Sequence, residues 1–268
     1  MANGEPRGAF FYARVAILLS VLLVVVLYAG QDIYRRKHRN DWDHTLDIAI
    51  IVLQRGDVDP KAIQMMRERV PALEERLTAE FRRRRPGAGI KPFHIELFGP
   101  VTVESAPVLP SSDRVMEHAK EMYAQWKTLS AIDKRAEVHA GAFDSRVYVT
   151  VVKPMSNARK LVEGASEDNG RIATVQIELA QDMVDVALFV STHELLHTLG
   201  ASDKYDETGR TKIPEGLAEP DAIPRYPQKL AEVMARNRMV SETKEKIPEK
   251  LDELAVGPLT AREIGWLP

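Results

Sequence analysis

The chain has 268 residues, 44% of them hydrophobic and 28% charged, with a formal net charge of −2 and no cysteine. That length buries a full core, so one soluble domain with an appendage is expected, and the near-balanced charge gives no argument for nucleic acid as a partner. The missing thiols exclude a disulfide framework and a thiolate metal site, and they are compatible with either side of a membrane.

No charged residue occurs from Val15 to Gly30, and the apolar character extends back through Phe10, Phe11 and Tyr12 with Arg14 as the one interruption. A bilayer core takes about 20 helical residues, and Arg14 near its end can snorkel to the headgroups, so the stretch reads as an uncleaved single-pass membrane anchor. Tyr12, Tyr28 and Tyr34 sit where an aromatic belt belongs. A cleaved signal peptide competes with this reading. Its apolar region would be shorter, and Leu27, Tyr28 and Ala29 make a poor small-residue cleavage site. Arg35, Arg36, Lys37 and Arg39 follow the span, against Arg7 and Arg14 before it, which places the rest of the chain in the cytoplasm. The same charges attract anionic lipid without naming one. Residues 1–39 are thus the anchor and basic flank, and residues 40–268 the folded domain.

Leu46 to Arg55, rich in Ile and Val, reads as a short buried strand, closed by Gly56, Asp57 and Pro60. Residues 61–85 carry helix formers, with Pro71 marking a kink or a second start. The run Arg82 through Arg85 is expected to face water at the helix C-terminus, where the dipole favours cations. A second strand follows from Pro92 to Val103, then a surface helix from Ser112 to about Ser130. Strands at Arg146–Val152 and Ile172–Leu179 come next. His94, His118 and His139 have no partner at metal spacing and read as scaffold. Strands alternating with helices argue a mixed α/β (α+β) sheet domain.

A helix starting near Asp182 carries the motif of greatest consequence. Asp182 and Asp185 place negative charge in its first turn, and Met183, Val186, Ala187, Val190, Leu195 and Leu199 supply an apolar stripe. His193 and His197, four apart, lie one helical turn above each other and can reach one cation. Glu194 is rotated by roughly 100° and is placed as a general base toward a water on the open side of that cation. Gly200 can enter the left-handed conformation that ends a helix and turns the chain back. For 7 His and 39 acidic residues, the expected chance number of HExxH strings is roughly 0.03, and roughly 0.0003 once the glycine and a third ligand are demanded.

Without cysteine, and without a histidine after His197, any zinc here must take a third protein ligand from an acid downstream. Asp203, Asp206, Glu207, Glu215, Glu219, Asp221 and Glu232 are the candidates, with Asp203 best placed directly after the Gly200 turn. Three protein ligands and one open position is the catalytic arrangement.

Over His193 to Asp203 the sequence HELLHTLGASD resembles the metzincin clan of zinc peptidases, and the aspartate at the last position is similar to its snapalysin-type branch. The resemblance implies a zincin-like domain, with an upper part over about 40–200 and a lower part over about 201–268. It also implies a methionine turn below the metal, for which Met234 is the candidate, and a strand before the active helix that edges the cleft and pairs with an extended peptide. Several clan members have a tyrosine two residues after that methionine; this chain has Arg236. The expected function is membrane-anchored, zinc-dependent hydrolysis of peptide bonds by a metal-activated water with Glu194 as general base. Tyr205 or Tyr226 could assist the oxyanion. The alternative is a membrane-tethered, non-catalytic scaffold that retains the peptidase fold.

Residues 204–228, with Gly209, Pro214, Gly216, Pro220, Pro224 and Pro227, read as a loop-rich wall. Helical pattern returns over Pro227 to Arg238, and Thr260 with Glu263 gives a capping-box signature for a short terminal helix.

Overall fold

The computed structural model describes residues 9–154, 162–166 and 170–268; Arg7 and the side chains of Tyr28, Tyr34, Arg35, Arg36 and Lys37 lie outside that description. The chain divides into two compact units, Met1–Arg39 and Asn40–Pro268. In the first, helix α1 runs Ala9–His38. Its stretch Phe10–Leu27 has mean hydropathy 2.6 and none of it is buried, so by length and composition it can cross a membrane. The Arg14 guanidinium lies 4.3 Å from the centre of the Phe10 ring.

The second unit is built on a five-stranded sheet of β1 (Leu46–Arg55), β2 (Phe93–Thr102), β3 (Ser145–Val152), β4 (Val162–Ser166) and β5 (Ile172–Glu178), in the order β2-β1-β3-β5-β4. Four strands are parallel, and β4 runs antiparallel to β5 at the edge. Ile48, Ile50 and Val52 of β1 enter the core with Met66, Leu73 and Leu77 below the sheet, while Ala49, Ile51 and Leu53 meet Leu129 and Ile132 on the other face. Burial on both faces is why β1 reads as a continuous apolar run instead of an alternating one. The strand β4 has no such signature, because Val-Glu-Gly-Ala-Ser lacks a β-branched or aromatic run. Its presence corrects one expectation. The strand before the active helix, β5, is paired on both sides, and β4 is the edge.

Helix α2 (Pro60–Arg84) starts on Asp59, whose carboxylate accepts from Lys61 N–H at 2.9 Å, and continues through Pro71 as one element. Of the arginines at its end, Arg82, Arg83 and Arg85 are exposed as expected and Arg84 is half-buried. Arg84 donates to the carbonyls of Val256 at 2.8 Å and Ala218 at 3.2 Å, and Arg83 pairs with Glu80. They supply donors to carbonyls of the C-terminal segment that have no sheet partner. Helix α3 (Val115–Arg135) extends past Ser130 because Leu129, Ile132 and Ala136 pack on the sheet.

Helix α4 spans Val184–Thr198 after a 3-10 turn at Gln181–Met183. It is buried almost all round: Leu188, Phe189 and Leu196 join the expected stripe in the core, whereas Val186 and Val190 are half-exposed along a cleft. Asp185 in its first turn takes both Nε and Nη2 of Arg69 at 2.8 Å each, and the Leu251 N–H at 3.1 Å.

Beyond Gly200 regular structure nearly disappears. The helix expected over Pro227–Arg238 does not form. That stretch holds a two-residue strand Ala231–Glu232 paired with Leu254–Ala255, a 3-10 turn Val233–Ala235, and a strand Arg238–Met239 paired with Glu245–Lys246. Glu232 is the reason. Its buried carboxylate accepts from Gly257 N–H and from Thr260 Oγ1 at 2.6 Å, which holds the chain extended against helix α5 (Pro258–Glu263). Nor do Thr260 and Glu263 form a capping box, since Gly257 is the N-cap and Glu263 instead binds Lys204 Nζ at 2.6 Å. Trp266 then locks the C-terminus into a cluster with Trp42, Phe81 and Phe93, at ring separations of 5.7, 5.2 and 6.3 Å.

Candidate metal centre

Gly200 ends α4 at φ +92°. Its N–H bonds the His197 carbonyl at 2.9 Å and the Ala201 N–H bonds Leu196 at 3.0 Å, the double closure of a helix that reverses at a left-handed residue. The reversal has two effects. It brings the Ala201 carbonyl to 2.7 Å from His197 Nδ1, and it returns the chain so that Asp203 meets the two imidazoles.

The three side chains converge by one atom each. His193 Nε2 and His197 Nε2 are 3.1 Å apart, and Asp203 Oδ1 is 3.3 Å from the first and 3.2 Å from the second. Ligands about 2.0–2.1 Å from a tetrahedral ion are separated by about 3.3 Å, so this triangle has the size of one face of a zinc tetrahedron. Both Nδ1 atoms are committed as donors, His193 to the Val233 carbonyl at 2.9 Å and His197 to Ala201. In that tautomer each Nε2 presents a lone pair, and the buried Asp203 Oδ1 has no donor. Three acceptors turned toward one point repel one another unless a cation lies between them. The residues fit a zinc ion of three protein ligands and an open side.

Glu194 lies beside this triangle, its Oε1 3.9 Å from His193 Nε2. Burial pushes its carboxyl up, against the opposing influence of His193 and His197, and Ser166 of β4 supplies a hydrogen bond. Gly164 of the same strand touches it so closely that a Cβ there would overlap the carboxylate. The Tyr205 hydroxyl is pushed up to about 12 by burial and by Asp203, to which it is hydrogen-bonded, and its ring stacks on His193 at 6.2 Å. Tyr205 therefore supports Asp203, and Tyr226 does not line the cleft.

The other acids lie elsewhere. Glu232 faces α5, Asp206 binds Thr208, and Glu207, Glu215 and Asp221 are exposed. Met234 is fully buried on the turn beneath the triangle, whose Val233 carbonyl holds His193 and whose own carbonyl takes Lys204 N–H at 2.9 Å. Above lies a cleft of about 360 Å³ between β4 and the chain after Arg236, with Val186, Phe189, Val190, Ile247 and Pro248 as its apolar walls. Sequence reasoning gave no hint of Gly164 and Ser166, which reach Glu194 only through strand pairing, or of the Lys204–Glu263 pair that anchors the returning loop.

A comparison with protein-family profiles gives no match, and neither does one with curated protein sequences. Among solved structures the chain is similar to archaemetzincin from Methanopyrus kandleri, with 14% identity, a TM-score of 0.32, and coverage of 59% of this chain and 76% of that one.

Proposed function

We propose that this protein is a membrane-anchored zinc peptidase, with His193, His197 and Asp203 as metal ligands and Glu194 as general base. The observation that carries the reading is the triangle of three acceptor atoms, sized for one tetrahedral ion, with both Nδ1 donors already spent on carbonyls. Zinc, when bound, supplies the Lewis acidity that polarises a peptide carbonyl and acidifies water. Glu194 takes the proton from the attacking water and delivers it to the leaving amine, a task suited to a carboxyl raised by burial. Ser166 and the glycine at 164 keep its carboxylate facing the site. Among the described residues the outer side of β4 has no strand partner, and it offers backbone groups to an extended peptide beside the apolar walls. Helix α1 is the anchor, and the basic residues after it orient residues 40–268 toward the cytoplasm.

The test uses the full chain purified in detergent. Metal analysis is expected to give one zinc per chain, lost on Asp203→Ala. Glu194→Gln is expected to keep the zinc and lower peptide cleavage by at least about a hundredfold, in the range of general-base catalysis. Zinc retention with no cleavage by the wild type would favour the non-catalytic scaffold. Protease protection in sealed vesicles tests the side of the membrane.

A further inference from the structure

Directly after the turn beneath the metal site, the backbone does something costly. Arg236 has φ 66° and ψ −43°, and the Asn237 N–H bonds the Ala235 carbonyl at 2.7 Å across it. This is a γ-turn of the rare, strained hand, in a region where glycine is the comfortable residue. The chain instead puts its longest cationic side chain there. The turn is held by neighbours that cannot yield, since Val233, Met234 and Ala235 are fully buried and the Val233 carbonyl fixes His193. The strain therefore aims one side chain at the cleft.

That side chain, exposed at the edge of the cleft, lies over an aromatic ring. The guanidinium carbon of Arg236 is 5.2 Å from the centre of the Tyr205 ring, and the opposite relation of Tyr205 to His193 is a stack at 6.2 Å. Imidazole, phenol and guanidinium thus follow one another outward from the metal site. An extended peptide advances about 3.3 Å per residue, so the two ring spacings together span at most about three residues of a peptide lying along the cleft. Cation–π stacking occupies the face of a guanidinium and leaves its five N–H groups, which lie in the plane, free to donate.

No described residue takes those donors. The acids nearby are engaged: Asp203 by the Tyr205 hydroxyl, and Glu245 by Asn237 Nδ2 at 2.8 Å and Thr211 N–H at 2.9 Å. Among the described residues lining the cleft, Arg236 is the one arginine or lysine. Glu194 is the one carboxylate of that lining, and Arg236 stands apart from it at the edge of the cleft. A planar, unpaired fork of donors on a pre-set aromatic platform matches a carboxylate, which accepts two parallel N–H bonds.

We infer that Arg236 is a carboxylate-recognition element, and that the cleft takes peptides bearing a carboxylate within three residues of the scissile bond. The inference rests on the peptidase reading above. The carboxylate belongs either to an acidic side chain or to the peptide's own C-terminus.

Matched peptides distinguish these sources. One set exchanges Glu for Gln at single positions on either side of an otherwise apolar cleavage site; a second exchanges a free C-terminus for an amide. With the full-length zinc-loaded protein, one position is expected to favour the carboxylate roughly 10- to 100-fold in kcat/KM, the range of charge-assisted hydrogen bonds. A Glu/Gln effect assigns a side-chain subsite, and an acid/amide effect assigns C-terminal recognition. In Arg236→Gly, which relieves the φ strain and should not lower the melting temperature, the ratio is expected to fall to about one. Arg236→Glu should invert it in favour of Lys-containing peptides. The same ratios are read without turnover by fluorescence anisotropy of labelled peptides on Glu194→Gln. If the wild type cleaves nothing yet the binding preference appears and depends on Arg236, the peptidase reading fails and the recognition site stands. A preference that is absent, or that persists unchanged in Arg236→Gly, overturns the inference.

Discussion

The stretch of the folded unit before Gly200 and the stretch after it are held together by different physics, and the candidate metal site lies on the seam between them. Above Gly200, parallel strands and α4 bury aliphatic side chains on both faces of a sheet. Below it, charged and polar groups are buried in place of a second sheet: Lys204, at 1% exposure, on Glu263 and Ser202; Glu232, also at 1%, on Gly257 and Thr260; and Arg84 on the carbonyls of Val256 and Ala218. Apolar packing is tolerant of sequence and sets a rigid frame. A buried polar network is intolerant, because each group left unpaired carries its full desolvation cost. Two histidines come from the frame, and Asp203 with the carbonyl that orients His193 comes from the network. The geometry of the candidate ligand set is thereby determined by how well the irregular half is pinned to the regular one.

The largest expected effect is at the one place where the lower chain is pinned by apolar burial. Trp266→Ala removes an indole, 1% exposed, from the cluster of Trp42, Phe81 and Phe93, and is expected to cost about 4 kcal/mol of stability by denaturant titration. A cost under about 1 kcal/mol would mean that the polar network alone holds the C-terminal segment.

Glu232 probes that network directly. Glu232→Ala strands the Gly257 N–H and the Thr260 hydroxyl, and should cost about 3 kcal/mol. Burial pushes this carboxyl up to about 7, despite the donors on it. A folded-state value above the ordinary 4.5 means that the fold binds a proton which the unfolded chain has already released. The group's contribution is full below about pH 4.5 and is lost as pH rises through about 7. The stability gap between wild type and Glu232→Gln should therefore be wider at about pH 5 than at about pH 8. An equal gap at both would show that the carboxyl is ionised throughout.

The smallest effect on stability, with a clear effect on activity, is expected at the seam itself. Gly164→Ala adds a methyl that overlaps Glu194 on the edge strand. It should leave zinc content and the unfolding midpoint nearly unchanged and lower kcat by roughly 10- to 100-fold, the penalty of a catalytic group displaced by about 1 Å. An unaltered kcat would detach β4 from the chemistry.

The sequence by itself determined what depends on local pattern. The apolar stretch of α1, the four parallel strands, and the helix bearing His193, Glu194 and His197 are legible because periodicity and apolar runs report burial residue by residue. Gly200 is legible because positive φ has a residue preference. What the sequence did not disclose depends on partners distant in the chain. The edge strand β4 exists through pairing with β5 and carries no apolar signal of its own. The extended conformation of Ala231–Glu232 wins over a helical pattern because the Glu232 carboxylate finds Gly257 and Thr260, 25 and 28 residues away. Of the arginines ending α2, Arg84 reads as solvated until carbonyls more than 130 positions away are brought to it. Asp203 is favoured on paper over six other acids by its place just after the Gly200 turn. The folded chain, with Glu232 turned toward α5 and Asp203 turned toward two imidazoles, is what brings the three groups together, because a ligand set is defined by convergence in space and spacing along the chain constrains it only within the reach of one turn.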